Sequence, residues 1–436
     1  MNAKMYETGL SETEKALLVA LETPETDGWL TEESMDELAQ LATTAGAVVA
    51  GTLVQRKDFP DNAYYIGAGK AEEVNTLCRA ADIDVVIFDS ELSPRQRRNL
   101  AEIIDCKIVD RTELILDIFA QRARTKEGKL QVEMAQLNYR LPRLAGKGTS
   151  LSRLGGGIGT RGPGETKLET DRRHLRRRIA TVKAEIDAVA KHRSLHRDSR
   201  HDLPLVVLVG YTNAGKSTLL NRLTGADVPA EDKLFATLDP TVRIMKLNDN
   251  REVFLGDTVG FIHKLPHHLV AAFRATLEEV TAAQLLMHVV DASHPKAEEQ
   301  MAAVYEVLHS LDAAGKRILT VFNKSDRPAA RTALKRLRKM TPDSVVISAA
   351  TGEGIEGLKQ MIANCLQNMV SRYRLEIPYT RSDIIALVQA RGDILRQEYT
   401  DTGVLVEAML DKSLGGRLQD YTQFATAGVG GGDKHD

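Results

Sequence analysis

One eight-residue segment limits the possible folds of this chain more than any other feature. Gly210-Tyr211-Thr212-Asn213-Ala214-Gly215-Lys216-Ser217 fits the spacing G-x-x-x-x-G-K-[ST], and it lies between the apolar run 205–209 and a helical pattern that starts at Thr218. Backbone N–H groups of such a loop surround the α- and β-phosphates of a nucleotide. Lys216 would reach the β- and γ-phosphates, and the hydroxyl of Ser217 would ligate Mg²⁺. The segment, with Thr218, predicts a phosphate-binding loop in an α/β domain.

Three further motifs follow in order, each at the end of a predicted strand. They are Asp257-Thr258-Val259-Gly260, Asn323-Lys324-Ser325-Asp326 and Ser348-Ala349-Ala350. Asp257 could hold Mg²⁺ through water, and the N–H of Gly260 could sense a γ-phosphate. The Asp326 carboxylate could accept hydrogen bonds from the N1–H and the amino group of guanine, a donor pair that adenine lacks. We therefore predict a domain for GTP or GDP with Mg²⁺ over 201–370, which binds its ligand beyond the carboxyl ends of the strands.

A threonine-containing segment between the phosphate loop and Asp257 has the composition of a nucleotide-dependent switch. It reads Phe235-Ala236-Thr237-Leu238-Asp239, followed by Pro240-Thr241. One of its threonines should ligate Mg²⁺ while a γ-phosphate is present and release it on hydrolysis. We favour Thr237 over Thr241. The predicted catalytic residues are Lys216, Thr237 and Gly260, and the predicted Mg²⁺ ligands are Ser217, Thr237 and, through water, Asp257.

The first 120 residues alternate between short β-prone runs and helical patterns. The runs lie at 17–21, 47–54, 85–89 and 107–110, and the helical patterns at 31–45, 70–81 and 94–105. This alternation predicts a small α/β domain with a parallel sheet over 1–120. The segment 65–70 (YIGAGK) lacks the first glycine and the final Ser or Thr of a phosphate loop, so we interpret it as a turn that leads into a helix. The pattern does not exclude an ATP site in this domain.

Residues 121–200 differ from the rest of the chain in charge. They contain 20 Lys plus Arg against 8 Asp plus Glu, in a chain whose formal net charge is −2. Apolar residues at 175, 179, 182, 186 and 189 follow a coiled-coil spacing, so we predict a helical hairpin whose earlier helix runs from Arg111 to Arg140. Its Gly-rich turn, 144–163, and the residues just after it carry cations that suit RNA phosphates, namely Lys147, Arg153, Arg161 and Lys167. A flexible linker and a solvated helical face are the alternatives.

The remaining sequence features indicate the cellular compartment and the last domain. No run of 18 apolar residues and no secretory signal pattern occurs, and the cysteines at 78, 106 and 365 are isolated, which favours a cytoplasmic protein without a membrane span. The run 373–379, a helical pattern over 382–398 and the run 404–410 predict a small C-terminal α/β unit within 371–436. The fold class predicted is therefore multidomain α/β: an N-terminal parallel α/β domain, a long helical hairpin, a central P-loop GTPase domain and this small unit.

The motifs together resemble those of the HflX family of ribosome-associated GTPases, within the translation-factor class. The resemblance rests on the four nucleotide motifs, on 65–70 and above all on the Gly-rich segment 157–169 (GIGTRGPGETKLE). It implies a monomeric factor that binds the large ribosomal subunit and its rRNA, rather than DNA, near the peptidyl-transferase centre. It also implies splitting or rescue of stalled ribosomes under stress, with the hairpin loop inserted into the rRNA. A ribosome-assembly GTPase and a GTPase subunit of an RNA-modifying complex remain as alternatives.

Two positions bear on the rate of hydrolysis. Phe261 stands where many GTPases have the glutamine that orients the attacking water, and a phenyl ring cannot hydrogen-bond water in that role. We therefore expect slow intrinsic hydrolysis that a ribosome stimulates. Asn213 is the residue type found in potassium-activated GTPases, so K⁺ is a candidate cofactor. His263 could substitute as a water-positioning residue, although a surface histidine of a switch loop is the favoured interpretation.

Overall fold

The structure is a computed structural model of the 436-residue chain. It describes residues 13–24, 28–144, 163–198, 203–225, 234–235, 241–248, 251–263, 278–313, 315–341, 343–367 and 370–425. The chain divides into two compact units, and short segments of the central region belong to the first. That unit comprises Met1–Ala190, Ala230–Asp239 and Val259–Thr276, and the second comprises Lys191–Pro229, Pro240–Thr258 and Leu277–Asp436.

The N-terminal sheet is parallel, as the alternating pattern predicts. Its strands stand in the order β2-β1-β3-β4. The elements are β1 (Lys15–Glu22), α1 (Gly28–Ala45), β2 (Val48–Arg56), α2 (Ala68–Ala81), β3 (Val85–Phe88), α3 (Pro94–Ala101) and β4 (Lys107–Asp110). Six successive residues of β1 are buried because helices cover both faces of the sheet. Residues 65–70 lead into α2, in agreement with the interpretation of that segment as a turn.

The helical region after β4 differs in one respect from the sequence prediction. The predicted single helix over Arg111 to Arg140 is two helices, α4 (Arg111–Arg122) and α5 (Lys126–Arg143). Ala123 adopts an extended conformation, and the hydroxyl of Thr125 caps α5 by accepting a hydrogen bond from the N–H of Gly128 at 3.0 Å. A capping residue inside an amphipathic pattern therefore divides the helix.

The second arm of the hairpin is α6 (Pro163–Asp198), which packs beside α5. Val182, at the centre of the predicted apolar seam, is fully buried. Arg178 on α6 forms a two-pronged ion pair with Glu133 on α5, at 2.6 and 2.8 Å. These contacts confirm a helical hairpin. Its Gly-rich turn lies outside the described residues.

The central sheet has six strands in the order β10-β9-β8-β5-β7-β6, and only β6 runs antiparallel to its neighbour. Strand β6 was not predicted from the sequence. The elements are β5 (Leu205–Val209), α7 (Lys216–Thr224), β6 (Thr241–Lys246), β7 (Glu252–Asp257), α8 (Glu278–Ala282), β8 (Leu285–Asp291), α9 (Ala297–Ser310), β9 (Ile318–Asn323), α10 (Pro328–Met340), β10 (Ser344–Val346) and α11 (Ile355–Gln367). All seven residues of β8 are buried, as expected for an inner parallel strand.

The C-terminal unit is a four-stranded antiparallel sheet in the order β12-β13-β11-β14. Its elements are β11 (Val370–Pro378), α12 (Ser382–Arg391), β12 (Asp393–Tyr399), β13 (Gly403–Asp411), α13 (Lys412–Arg417) and β14 (Thr422–Ala425). The predicted helix over 382–398 is wrong in its second half, since it ends at Arg391 before Gly392. Residues 393–399 instead pair with β13 as a hairpin. The multidomain α/β fold class is confirmed, and across the described ranges no helix combines the length and apolar character that a membrane crossing requires.

Candidate nucleotide-binding site

The phosphate loop follows β5 and ends where α7 begins, so it lies at the carboxyl end of the central sheet. Gly215 has φ +90° and would bring a Cβ atom to 2.3 Å from Nδ2 of Asn323. Gly210, with φ +154°, would bring one to 2.3 Å from the carbonyl oxygen of Val289. Both positions therefore require glycine for the backbone conformation and for space. The loop keeps its N–H groups at the start of a helix, which is a favourable place for an anion.

Lys216 folds back over the phosphate loop. Its Nζ donates hydrogen bonds to the carbonyl oxygens of Gly210 at 3.0 Å and Tyr211 at 2.7 Å. The side chain is buried, and burial lowers the pKa of Lys216 to about 8, with Asp257 opposing the shift and Lys324 adding to it. Lys216 therefore covers the phosphate loop with a buried positive charge that is only partly neutralised. A bound polyphosphate would neutralise it.

Ser217 and Asp257 meet at the ends of α7 and β7. The hydroxyl of Ser217 donates to Oδ2 of Asp257 at 2.8 Å, and Asp257 is fully buried. The next residue, Thr258, donates its hydroxyl to the carbonyl oxygen of Leu208 at 2.7 Å, which joins this strand end to β5. Hydroxyl and carboxylate oxygens are the ligands that Mg²⁺ prefers, so the donor set fits this ion.

Asn323 connects the phosphate loop with the loop after β10. Its Nδ2 donates to the carbonyl oxygen of Ala214 at 2.9 Å, and its Oδ1 accepts from the N–H of Ala349 at 2.9 Å. Arg222 on α7 donates to the carbonyl oxygens of Ala349 and Ala350. The predicted base-binding and phosphate-binding segments are thus held together by the buried hydrogen bonds of Asn323 and by the more exposed ones of Arg222.

Asp326 is exposed at the end of the Asn323–Asp326 motif, as a base-binding carboxylate must be. The buried hydroxyl of Ser348 donates to its Oδ1 at 2.6 Å. Ser348 also accepts from the N–H of Thr351 at 3.1 Å. The serine therefore orients the carboxylate through one oxygen.

Lys324 forms an ion pair with an acidic residue that the sequence motifs do not include. Its backbone has φ +62°, and its Nζ lies 2.7 Å from Oδ2 of Asp291 at the end of β8. Burial raises the pKa of Asp291, but hydrogen bonds from Lys324 and Ser293 and the positive charge of Lys324 lower it by more, so the pKa lies below its ordinary value. The sequence did contain a signal for this contact, because Asp291 ends β8, the strand that neighbours β9 and its terminal Asn323.

Part of the predicted switch segment and part of the segment after Gly260 pack in the hydrophobic core of the first unit. Phe235 lies edge-on to Phe119 of α4, with ring centroids 4.7 Å apart, and Leu234 and Ile262 belong to the same core. Arg111, buried and paired with Asp89, donates to the carbonyl oxygen of His263 at 3.1 Å. Sequence reasoning missed these contacts, because no local pattern identifies a partner so distant in the chain.

Some of the predicted switch and RNA-binding residues lie outside the part of the chain that the structure describes, and others lie within it. Ala236, Thr237, Leu238 and Asp239 lie outside the described residues, as do Lys147, Arg153 and Arg161. Lys167 lies within α6. Thr241, the less favoured switch threonine, opens β6 and is the strand partner of Asp257. Val259 and Gly260 belong to the first unit, whereas the phosphate loop belongs to the second.

Comparisons with known proteins cover nearly the whole chain. Residues 32–120 match the family described as GTP-binding GTPase N-terminal, 122–200 the GTP-binding GTPase middle region, and 205–324 the 50S ribosome-binding GTPase. A GTPase HflX of Caldanaerobacter subterraneus is 47% identical over 414 residues, 94% of either chain. A GTPase HflX of Escherichia coli is 48% identical over 349 residues, which cover 79% of this chain and 82% of the relative.

Among solved structures, the chain is similar to a complex of SsGBP with GDP. The two are 27% identical, with a TM-score of 0.46, over 81% of this chain and 98% of that one. A GTP-binding protein from Sulfolobus solfataricus in complex with GDP is 26% identical, with a TM-score of 0.42, over 82% of this chain and 99% of that one.

Proposed function

The chain belongs to the HflX family of GTPases and so binds guanine nucleotides and hydrolyses GTP, and from this premise we propose that it acts on ribosomes. In its GTP state it binds the large ribosomal subunit and splits or rescues stalled ribosomes under stress. The observation that carries the proposal is the match of 205–324 to the 50S ribosome-binding GTPase family, combined with a basic hairpin over 121–200. A cytoplasmic monomer is the form in which we expect it to act.

The proposed nucleotide contacts follow the geometry of the site. The phosphate loop from Gly210 to Thr218 holds the phosphates, and the loops at 323–326 and 348–350 hold the base. Mg²⁺ would be held by Ser217, Thr237 and, through water, Asp257, and it would supply positive charge to the β- and γ-phosphates. The 2.8 Å contact between Ser217 and Asp257 supports this donor set. Lys216, Thr237 and Gly260 are the proposed catalytic residues.

The proposed rate behaviour rests on Phe261. This residue is 2% exposed and offers no polar atom to a water molecule. Intrinsic hydrolysis should therefore be slow, and the ribosome would supply or order the missing polar group. K⁺ bound near Asn213 is a further proposed source of positive charge. Equal GTP turnover in potassium and sodium buffers would contradict a role for K⁺.

The proposed RNA contacts lie in the hairpin. Lys147, Arg153, Arg161 and Lys167 would contact phosphates of large-subunit rRNA. We propose four domains, 1–120, 121–200, 201–370 and 371–436. Residues 121–200 would insert into the rRNA, and residues 201–370 would bind the nucleotide.

The test is GTP hydrolysis by the purified protein, alone and with large subunits, small subunits and intact ribosomes, while light scattering follows subunit separation. We expect strong stimulation by large subunits or ribosomes, and a fall in scattering only with the GTP-state protein. Stimulation without separation would favour the ribosome-assembly alternative. Turnover that no ribosomal particle changes would favour a GTPase subunit of an RNA-modifying complex.

A further inference from the structure

Helix α10 carries a dense and unmixed positive charge. Together with its N-cap residue Arg327, the segment 327–340 contains six cations and no acidic residue. Ala330 and Leu337 are its buried residues. The exposed cations are Arg327, Arg331, Lys335, Arg336, Arg338 and Lys339.

The spacing aligns four of these cations along one face of the helix. Arg327, Arg331, Lys335 and Lys339 follow at intervals of four residues, so they lie above one another over a length of about 18 Å. Like charges at this spacing weaken a helix. Two of the cations also stand at the N-terminal end, where the helix dipole disfavours positive charge. Arg338 and Lys339 lie in the last turn, where the dipole favours positive charge, so the cost to helix stability comes from the like-charge spacing and from the cations at the N-terminal end.

Among the residues that the structure describes, no ion pair or side-chain hydrogen bond offsets this cost for most of the cations. Arg336 forms an ion pair with Glu298 of α9. Arg331, Lys335, Arg338 and Lys339 make no ion pair or side-chain hydrogen bond with any other residue in the described parts of the chain. A surface helix ordinarily mixes both signs, as α11 does where Lys359 pairs with Glu356 at 3.1 Å. Helix α10 does not.

The positive charge of α10 stands in a chain that is acidic apart from residues 121–200. Of the formal net charge of −2, the segment 327–340 contributes +6 and residues 121–200 contribute +12, so the other residues together carry −20. An anionic polymer would therefore be attracted to a local surface, and α10 is such a surface in the GTPase domain.

We propose that α10 binds the phosphate backbone of an RNA, through a surface formed by Arg331, Lys335, Arg338 and Lys339. A linear row of cations matches the repeated charge of a polynucleotide. An acidic protein partner fits less well, because protein interfaces depend on buried aromatic or apolar anchors, and α10 has no aromatic residue and one exposed large apolar residue, Met340, at its end. The inference rests on the proposed function only in naming large-subunit rRNA as the natural ligand.

The test compares two triple variants of the full chain that change the net charge equally. One is Arg331→Gln, Lys335→Gln and Lys339→Gln. The control is Arg372→Gln, Arg374→Gln and Arg396→Gln, three exposed cations of the C-terminal sheet, of which Arg372 pairs with Glu407 and Arg396 with Glu398. Affinity for protein-free large-subunit rRNA and for intact large subunits is measured across a KCl series.

We expect the α10 variant to bind both about tenfold to a hundredfold more weakly at low salt. The slope of log K against log[KCl] should become shallower by about 0.7 to 0.9 for each phosphate that the variant no longer neutralises. Ribosome-free GTP turnover should match that of the wild type, and thermal stability should equal or slightly exceed it because repulsion along the helix is relieved. The control variant should retain the wild-type salt slope. Equal slopes for the α10 variant and the wild type would overturn the inference.

Two other outcomes separate this inference from the proposed function. If the α10 variant binds subunits weakly but protein-free rRNA normally, the partner is an acidic protein surface and the inference is wrong. If the wild-type chain fails to bind ribosomal particles but binds RNA in a manner that depends on α10, the proposed ribosomal function fails and the inference stands.

Discussion

The side-chain amide of Asn323 donates a hydrogen bond to the carbonyl oxygen of Ala214, with 2.9 Å between the two atoms. Because the same side chain accepts from the N–H of Ala349, one residue fixes the distance between the phosphate loop and the base-binding loop. Gly215 leaves the space that this amide occupies. If these loops bind the phosphates and the base as proposed, Asn323 couples the two through hydrogen bonds within the protein.

Replacement of Asn323 by Ala should weaken the binding of GDP and GTP by about tenfold to a hundredfold, since two buried partners lose hydrogen bonds worth about 1 kcal/mol each. Fluorescently labelled nucleotides measure the affinity, and thermal unfolding without nucleotide checks the fold. Asn364→Ala, an exposed change on α11 in the same domain, is the control. Wild-type affinity in Asn323→Ala would contradict this coupling.

The contact between Phe235 and Phe119 predicts a change in local order. Phe119→Leu removes the edge-on ring contact, which contributes about 1 kcal/mol beyond burial, so backbone amides around 234–235 should exchange hydrogen faster. Hydrogen exchange followed by mass spectrometry measures this directly. Phe88→Leu is the matched control, because it removes a similar contact with Tyr65, at 6.0 Å, in another core cluster. Equal exchange at 234–235 in both variants would show that Phe119 does not hold this segment.

How much of this could be predicted depended on whether the determining interactions were local. The phosphate loop was predictable because positive φ at Gly215 and a following helix impose the same residue types on any chain. The break before α5 was visible only as Thr125 followed by Gly128, a weak signal inside a strong amphipathic pattern. The sequence favours a helix over 382–398, and its end is wrong because residues 393–398 pair with β13, a strand beyond a turn, and local helical preference does not depend on such a partner.

The contacts of Asp291, Phe119 and Arg111 illustrate a different limit. Each partner lies far along the sequence, on an element whose own pattern is complete without the contact. Hydrophobic periodicity assigns such residues to strands and helices, but only the folded structure identifies the residues that they contact.

The depressed pKa of Lys216 predicts how stability depends on pH in the nucleotide-free protein. The folded pKa of about 8 lies below the ordinary value of 10.5, so the folded state binds fewer protons than the unfolded state between these values. The cost of burying the charge is therefore fully present below pH 8, and stability attributable to Lys216 rises as pH increases from 8 to 10.5. Lys216→Met should be more stable than the wild type at pH 7 by about 3 kcal/mol or less.

That difference should shrink at about pH 9 and above, and urea unfolding at several pH values measures it. Lys359→Met on α11 controls for the loss of one positive charge. Because bound phosphates would favour the charged lysine, nucleotide binding at about pH 9 should take up a proton, which calorimetry in buffers of different ionisation enthalpy detects. A constant difference in stability from about pH 7 to pH 10 would show that Lys216 is not destabilised by burial.

The ion pair between Asp291 and Lys324 gives the last prediction. Both side chains are largely buried, with exposed fractions of 11% and 15%, so Asp291→Asn leaves a cation without its partner and should cost about 3 kcal/mol of stability. Guanine nucleotide affinity should fall as well, since Lys324 has φ +62° and this ion pair helps hold it there.

A double-mutant cycle with Lys324→Met tests the coupling: the double variant should be less destabilised than the sum of the single variants. The exposed pair of Arg372 and Glu407 serves as the control, and Glu407→Gln should cost less than about 1 kcal/mol. Strict additivity at Asp291 and Lys324 would mean that the two side chains act independently and that Asp291 does not position the lysine.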